Sequence, residues 1–195
     1  MSASTARTAV RRFATTGLAA ALLAGGLGVA AVAPASAAPR DCAYLGYGSG
    51  PDQLGLQLDT AEQKMFNDIN AYRAANGLPA LRLSSGLARP TMWASLDSAQ
   101  RGFSPSNHVD SRGMGPAQRA QYCSGYTGRI GEINYYGWGN QYAGSNTAAL
   151  AWWKQSPGHN ALLLSRDFTT MHVGWAYIGV NAEVRGHWTV SFGVS

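Results

Sequence analysis

The stretch Trp152-Trp153-Lys154-Gln155-Ser156-Pro157-Gly158-His159 closes one helix, opens another and fixes an imidazole between them. Ala148 to Gln155 reads as the end of a helix carrying two tryptophans. Ser156 can cap the next turn through its hydroxyl, and Pro157 suits the first helical position, where no backbone N–H is needed. His159 follows on that turn, and Asn160-Ala161-Leu162-Leu163-Leu164 continues as a short, largely buried apolar run. A histidine so confined has little rotamer freedom, as a ligand or proton carrier requires. The same confinement equally suits a hydrogen-bonded structural group.

On the C-terminal side, two strands run from His172 to Gly179 and from His187 to Gly193, with a polar hairpin around Asn181-Ala182-Glu183. His172 and His187 open those strands, where imidazoles are usually solvated or hydrogen-bonded rather than ligands. On the N-terminal side, Ser145 or Asn146 caps the tryptophan helix, and Gly137 to Gly144 is a glycine-broken aromatic loop. Arg129 to Tyr135 reads as a strand with Ile130, Glu132 and Asn134 on one face, Ile133 and Tyr135 on the other. Tyr135, Tyr136, Trp138 and Tyr142 could stack on sugar rings, lie against lipid, or simply pack over the sheet edge.

Earlier still, Pro116 to Tyr122 is a short helix leading to Cys123, after a Gly102 to Pro116 loop that contains His108. A helix opens at Thr60, with Gln63 completing a capping box. It carries Met65, Phe66, Ile69 and Tyr72 at helical period and stops at Asn76-Gly77. Another runs from Ser84 or Ser85 to about Gln100, with Leu87, Met92, Leu96 and Ala99 inward. Pro90 inside it predicts a later start or a kink. Helices early and antiparallel strands late argue for an α+β layered domain.

The first 37 residues read as a signal peptide. Arg7, Arg11 and Arg12 form a positive n-region, Leu18 to Ala33 is small and apolar, and Ala35-Ser36-Ala37 is an A-x-A cleavage site. The apolar stretch is short and glycine-broken for a membrane span, so the remainder is expected to have no transmembrane segment. Cleavage leaves 12 basic against 10 acidic residues, reducing the formal charge from +5 to +2. With its arginines scattered and no nucleic-acid motif, nucleic-acid binding is not expected. In an exported chain the two cysteines, Cys42 and Cys123, are most simply a disulfide. It would tie an N-terminal arm, residues 38–59, to the domain at 60–195, closing a loop of roughly 80 residues worth ~3–5 kcal/mol.

The chain resembles the CAP superfamily (cysteine-rich secretory, antigen 5 and pathogenesis-related 1 proteins) in its bacterial secreted form. The likeness covers roughly Ala61 to Gly193. It rests on Ile69-Asn70-Ala71-Tyr72-Arg73 with Asn76-Gly77-Leu78, on His108, on Gly131-Glu132, and on Trp153 with Ser156-Pro157-Gly158-His159. Asp167-Phe168-Thr169, Val173-Gly174, Trp188-Thr189 and Phe192-Gly193 complete it. It implies a three-layer α-β-α sandwich with a central antiparallel sheet, and a cleft in which two histidines and one or two glutamates stand. Carried over by position, these are His108, Glu132 and His159. Ser156 occupies the place of the second glutamate. Asn134 stands one residue later than the asparagine that commonly follows the family's Glu, and Leu162 replaces an asparagine after the second His.

Two imidazoles and a carboxylate suit zinc or another divalent metal. Glu132 then has three roles open to it: ligand, general base, or structural acceptor. The resemblance implies first a non-catalytic extracellular binding protein, its cleft holding a lipid or cell-envelope ligand with or without a metal. Asn134, Tyr135, Trp138 and Ser156 are the further cleft candidates. The alternatives are a metal-dependent hydrolase of peptidase type, with His108 and His159 as zinc ligands and Glu132 as ligand or base, and a structural or interaction protein.

Overall fold

Three long strands alternate strictly in what they bury, and this alternation divides the molecule into layers. In a computed structural model, residues 42, 58–138, 145–180 and 183–194 are described, the side chains of 178–180 and 183–185 excepted. Their elements are α1 (Thr60–Ala75), β1 (Arg82–Leu83), α2 (Ser85–Arg101), α3 (Pro116–Ser124), β2 (Ile130–Trp138), α4 (Asn146–Gln155), α5 (Pro157–Leu163), β3 (Thr170–Val180) and β4 (Glu183–Gly193). The sheet order is β1-β3-β4-β2. β2 and β3 pair antiparallel with β4, and short β1 adds parallel to β3, so the expected antiparallel sheet carries one parallel strand at its edge.

One face of the sheet presents Ile133, Met171, Val173, Trp188, Val190 and Phe192 to Met65 and Ile69 of α1, Trp153 of α4 and Leu163 of α5. The opposite face presents Thr170, His172, His187, Thr189 and Ser191, all buried, toward α2 and α3. Burial on both faces follows from helices on both sides, and the architecture is the expected α-β-α sandwich. Gly174 is where α2 comes closest: a Cβ there would lie 2.9 Å from the Thr91 carbonyl oxygen. Ser95 Oγ donates to the Gly174 carbonyl at 2.8 Å, fastening helix to strand.

His172 and His187 do not open their strands. β3 begins at Thr170 and β4 at Glu183, so both imidazoles sit inside the sheet at 0% exposure. His187 Nδ1 is hydrogen-bonded to Ser104 Oγ at 3.0 Å.

The capping box of α1 lies one residue earlier than the sequence pattern predicts. Asp59, not Thr60, is the N-cap: its carboxylate accepts from the Glu62 N–H at 2.8 Å, and Glu62 accepts from the Asp59 N–H at 3.0 Å. Glu62 wins over Gln63 because its other oxygen accepts the Trp175 N–H at 2.9 Å, joining the helix start to β3. At the other end Gly77 takes φ +68°, as the Asn76-Gly77 stop requires.

Pro90 neither delays nor ends α2, which runs from Ser85 through it to Arg101. A proline lacks the N–H that would bond the carbonyl four residues back. That carbonyl, of Gly86, instead has the Ser124 hydroxyl at 2.5 Å, a hydroxyl that also lies 2.8 Å from the Ala120 carbonyl of its own helix. The C-terminal turn of α3 therefore repairs the gap in α2. α3 continues to Ser124, and Cys123 within it is bonded to Cys42, with both cysteines buried. The segments read as signal peptide and as most of the arm lie outside the described residues, as do loop residues 139–144, with Tyr142, and the hairpin tip at 181–182.

Candidate functional site

β2 is the edge strand, and its even-numbered side chains face α2 and α3. Glu132 is the centre of that face, with 2% of its side chain exposed. His108 Nδ1 lies 3.1 Å from Glu132 Oε1, and Arg119 Nη2 donates to Oε2 at 2.5 Å. Ser191 Oγ, directly opposite on β4, adds a longer contact at 3.4 Å. Both carboxylate oxygens are therefore engaged from inside the protein.

Arg119 is the residue that sequence reading missed. It is buried, and its guanidinium also donates to the carbonyls of Pro90 (3.2 Å), His108 (3.3 Å) and Met114 (3.2 Å). One side chain thus holds α2, the His108 loop and β2 together. Among scattered arginines it carries no motif. Its one signal is position: four residues before Cys123, it shares the inward face of α3 with that disulfide.

His108 adopts φ +59°, the one non-glycine residue with positive φ among those described. This left-handed conformation is uncommon outside glycine, although His tolerates it better than most. Pro105 accepts the His108 N–H at 3.0 Å, Arg119 takes its carbonyl, and Glu132 takes its ring. The backbone is bent to aim the imidazole at the carboxylate.

His159 sits on the first turn of α5, with Pro157 at the predicted position. Ser156 is the N-cap by backbone alone; its hydroxyl does not cap the helix but lies 2.7 Å from His159 Nδ1. The imidazole is the better partner because it sits one turn away on the same side. Trp152 packs on the His159 ring at 4.8 Å between centroids, and Tyr135 packs on Trp152 at 6.0 Å. Burial, and then the nearby His108, push the His159 imidazole below its ordinary pKa, favouring the neutral ring. The apolar run after it is less buried than expected: of 160–164, only Leu163 is buried.

His108, Glu132 and Asn134 line one pocket, with Ser98 and Pro105. His159 is outside that lining. Tyr135 lies on the opposite face of β2, against Trp152 and Trp153. Trp138 is not in the loop but ends β2, 58% exposed.

Because Nδ1 of His108 and of His159 are turned to Glu132 and Ser156, Nε2 is the ring atom each leaves for a ligand. Glu132 is less available, its oxygens being shared with His108 and a guanidinium. Among the described residues, no group of three or more His, Cys, Asp or Glu side chains is placed to hold a metal ion. Of the candidate donors only the two imidazoles remain, and two imidazoles alone bind divalent metals weakly and exchangeably. No helix of the described residues is long and apolar enough to cross a membrane.

The family model for the cysteine-rich secretory protein family, CAP, matches residues 66–192. Among solved structures, an outer surface protein from Borrelia burgdorferi superposes with a TM-score of 0.56 at 18% identity, over 72% of this chain and 98% of that one. A cysteine-rich secretory protein from Staphylococcus aureus gives 0.47 at 16% identity, over 70% of this chain and 38% of that one. At 18% identity the first of these likenesses concerns the fold. None of the curated proteins matches the sequence significantly.

Proposed function

Since the chain belongs to the cysteine-rich secretory protein family, we propose that it is exported and acts outside the cell as a non-catalytic binding protein. Its cleft, built around His108, Glu132 and His159, would hold a lipid or cell-envelope ligand. The observation that carries this reading is the double engagement of Glu132, by His108 at 3.1 Å and Arg119 at 2.5 Å. A general base needs an oxygen free to take a proton from water at the reacting centre. Glu132 has its oxygens turned to the interior, where it orients His108 instead. The groups left facing outward are the imidazole Nε2 atoms, the half-exposed Trp152 and the exposed Trp138. These recognise and stack, and a carboxylate general base is not among them. A divalent metal, where present, would be held by His108 and His159 and would offer its open positions to an anionic ligand group.

Calorimetric titration of the protein with palmitate, with anionic phospholipid vesicles and with soluble cell-wall fragments tests this. We expect one of these to bind, and the His108→Ala/His159→Ala double variant to lose it while remaining folded. Binding by none of the three, or binding unchanged in the double variant, overturns the reading.

A further inference from the structure

Arg119 and Cys123 lie four residues apart on the buried face of α3, so one side of this helix carries both the buried cation of the site and a disulfide. α3 has nine residues, fewer than a helix needs to persist alone in water. Its place is therefore set by what fastens it. Arg119 bonds inward to the carbonyls of Pro90, His108 and Met114 and to Glu132, and Ser124 bonds the Gly86 carbonyl. The covalent tie is Cys123 to Cys42, both 3% exposed.

The groups that α3 holds have a second favourable arrangement. Arg119 and Glu132 are charges taken out of water, at a desolvation cost that their pairing has to offset. If α3 swings outward, both are hydrated again. His108 relaxes in the same direction: a φ of +59° is uncommon outside glycine, and Arg119 holds its carbonyl there. The rest of the loop does not depend on α3. Ser104 is bonded to His187 on β4, while the Val109 carbonyl accepts from Arg101 and the Ser111 N–H donates to Asp97, both on α2. Freeing α3 therefore releases His108 and Glu132 and leaves the loop attached on either side of them.

We propose that Cys42–Cys123 is an oxidation-dependent lock on the candidate site. Closed, it keeps Arg119 on Glu132 and His108; opened, it lets α3 withdraw and the imidazole turn away from the carboxylate. Opening consumes one external dithiol, whose two S–H groups are oxidised to a disulfide while Cys42 and Cys123 each take up a hydrogen. The site is then assembled only in chains that have met an oxidising compartment, where such disulfides persist. The lock concerns the geometry of the site and stands or falls separately from the ligand the site holds.

The test compares the oxidised protein with protein refolded in dithiothreitol, by amide hydrogen exchange and by the His108 ring tautomer in nitrogen NMR at about pH 8, where an ordinary imidazole is neutral. On reduction the His108 and Arg119 amides, bonded to Pro105 and Gly115, should exchange at least about tenfold faster relative to Leu81 and Trp175, which Asn70 and Glu62 hold on the other side of the sheet. A carboxylate only accepts, so His108 carries its proton on Nδ1 while it faces Glu132. The Nε2–H form should appear on reduction. Exchange that speeds up equally at all four amides or at none overturns the proposal. So does an Nδ1–H tautomer retained in the folded, reduced protein. Trimethylamine N-oxide is added to both samples to favour the folded state. Unfolding of the whole reduced chain even then means that the disulfide holds the fold rather than the site, and overturns the proposal as well.

Discussion

The Arg119 guanidinium and the Glu132 carboxylate form a buried ion pair, Nη2 to Oε2 at 2.5 Å, with 1% and 2% of their side chains exposed. Removing one member of such a pair leaves the other charged and unmatched in the interior, at a cost of roughly 3–5 kcal/mol. Arg119→Met should therefore destabilise the fold severely in urea denaturation, and Glu132→Gln less, because an amide still accepts from Arg119. Combining Arg119→Met with Glu132→Leu should recover much of the loss. Additive losses in the double variant would mean that the pair does not act as a unit.

Ser124 and Pro90 are coupled through the Gly86 carbonyl. Ser124→Ala should cost about 1 kcal/mol in the wild type. In a Pro90→Ala background the restored N–H can bond Gly86 itself, and the same change should cost less, since only the Ala120 contact of the hydroxyl is then lost. A double-mutant cycle by thermal denaturation reads this directly.

Burial pushes the Glu62 carboxyl up to about 8, outweighing the Asp59 and Trp175 N–H groups that favour its ionised form. A carboxyl raised above its unfolded value contributes stability that is full below about pH 4.5 and is lost as pH rises through 8. Glu62→Gln does not ionise. The melting temperature of Glu62→Gln relative to wild type should therefore climb from pH 5 to pH 8. A constant difference across that range contradicts the assignment.

The His159 imidazole should titrate below 6.5 in an NMR series, because of burial first and His108 second. His108→Ala removes the second cause and should move the pKa upward, though not fully back. For a histidine held neutral by the fold, stability is lost as pH falls below about 6.5, so the His159 contribution has the opposite sign to that of Glu62. No movement in His108→Ala would mean that the two rings do not sense one another.

Reduction of Cys42–Cys123, or its replacement by serines, releases a loop with a sequence separation of 81 and should cost about 3–5 kcal/mol. A melting point unchanged by reductant would show that the N-terminal segment adds nothing to the domain.

Local signals in the sequence carried over well where a single residue type determines the outcome. Gly77 takes the positive φ of a helix stop, Ser145 caps α4 through its hydroxyl at 3.0 Å from the Ala148 N–H, and Pro157 begins α5. The failures are places where a side chain had a distant competitor. Ser156 abandons the cap for His159, and Glu62 displaces Gln63 because β3 offers it the Trp175 N–H. Arg119 and Arg73 are both buried, and each donates to carbonyls outside its own helix. Arg73 donates to Leu163 and Ser165, which no periodicity in α1 foretells. The candidate site residues were named from family resemblance. What resemblance left open was the partner of Glu132.

Whether Glu132 is an anchor or a base is decided most directly by turnover. The measurement is hydrolysis of a broad fluorogenic peptide and ester library, with zinc present, by the wild type and by Glu132→Gln, with the fold of each checked by thermal denaturation. The account predicts no cleavage above buffer for either protein. Turnover by the wild type that vanishes in a folded Glu132→Gln variant would contradict it, and would place the catalytic carboxylate where we put an anchor.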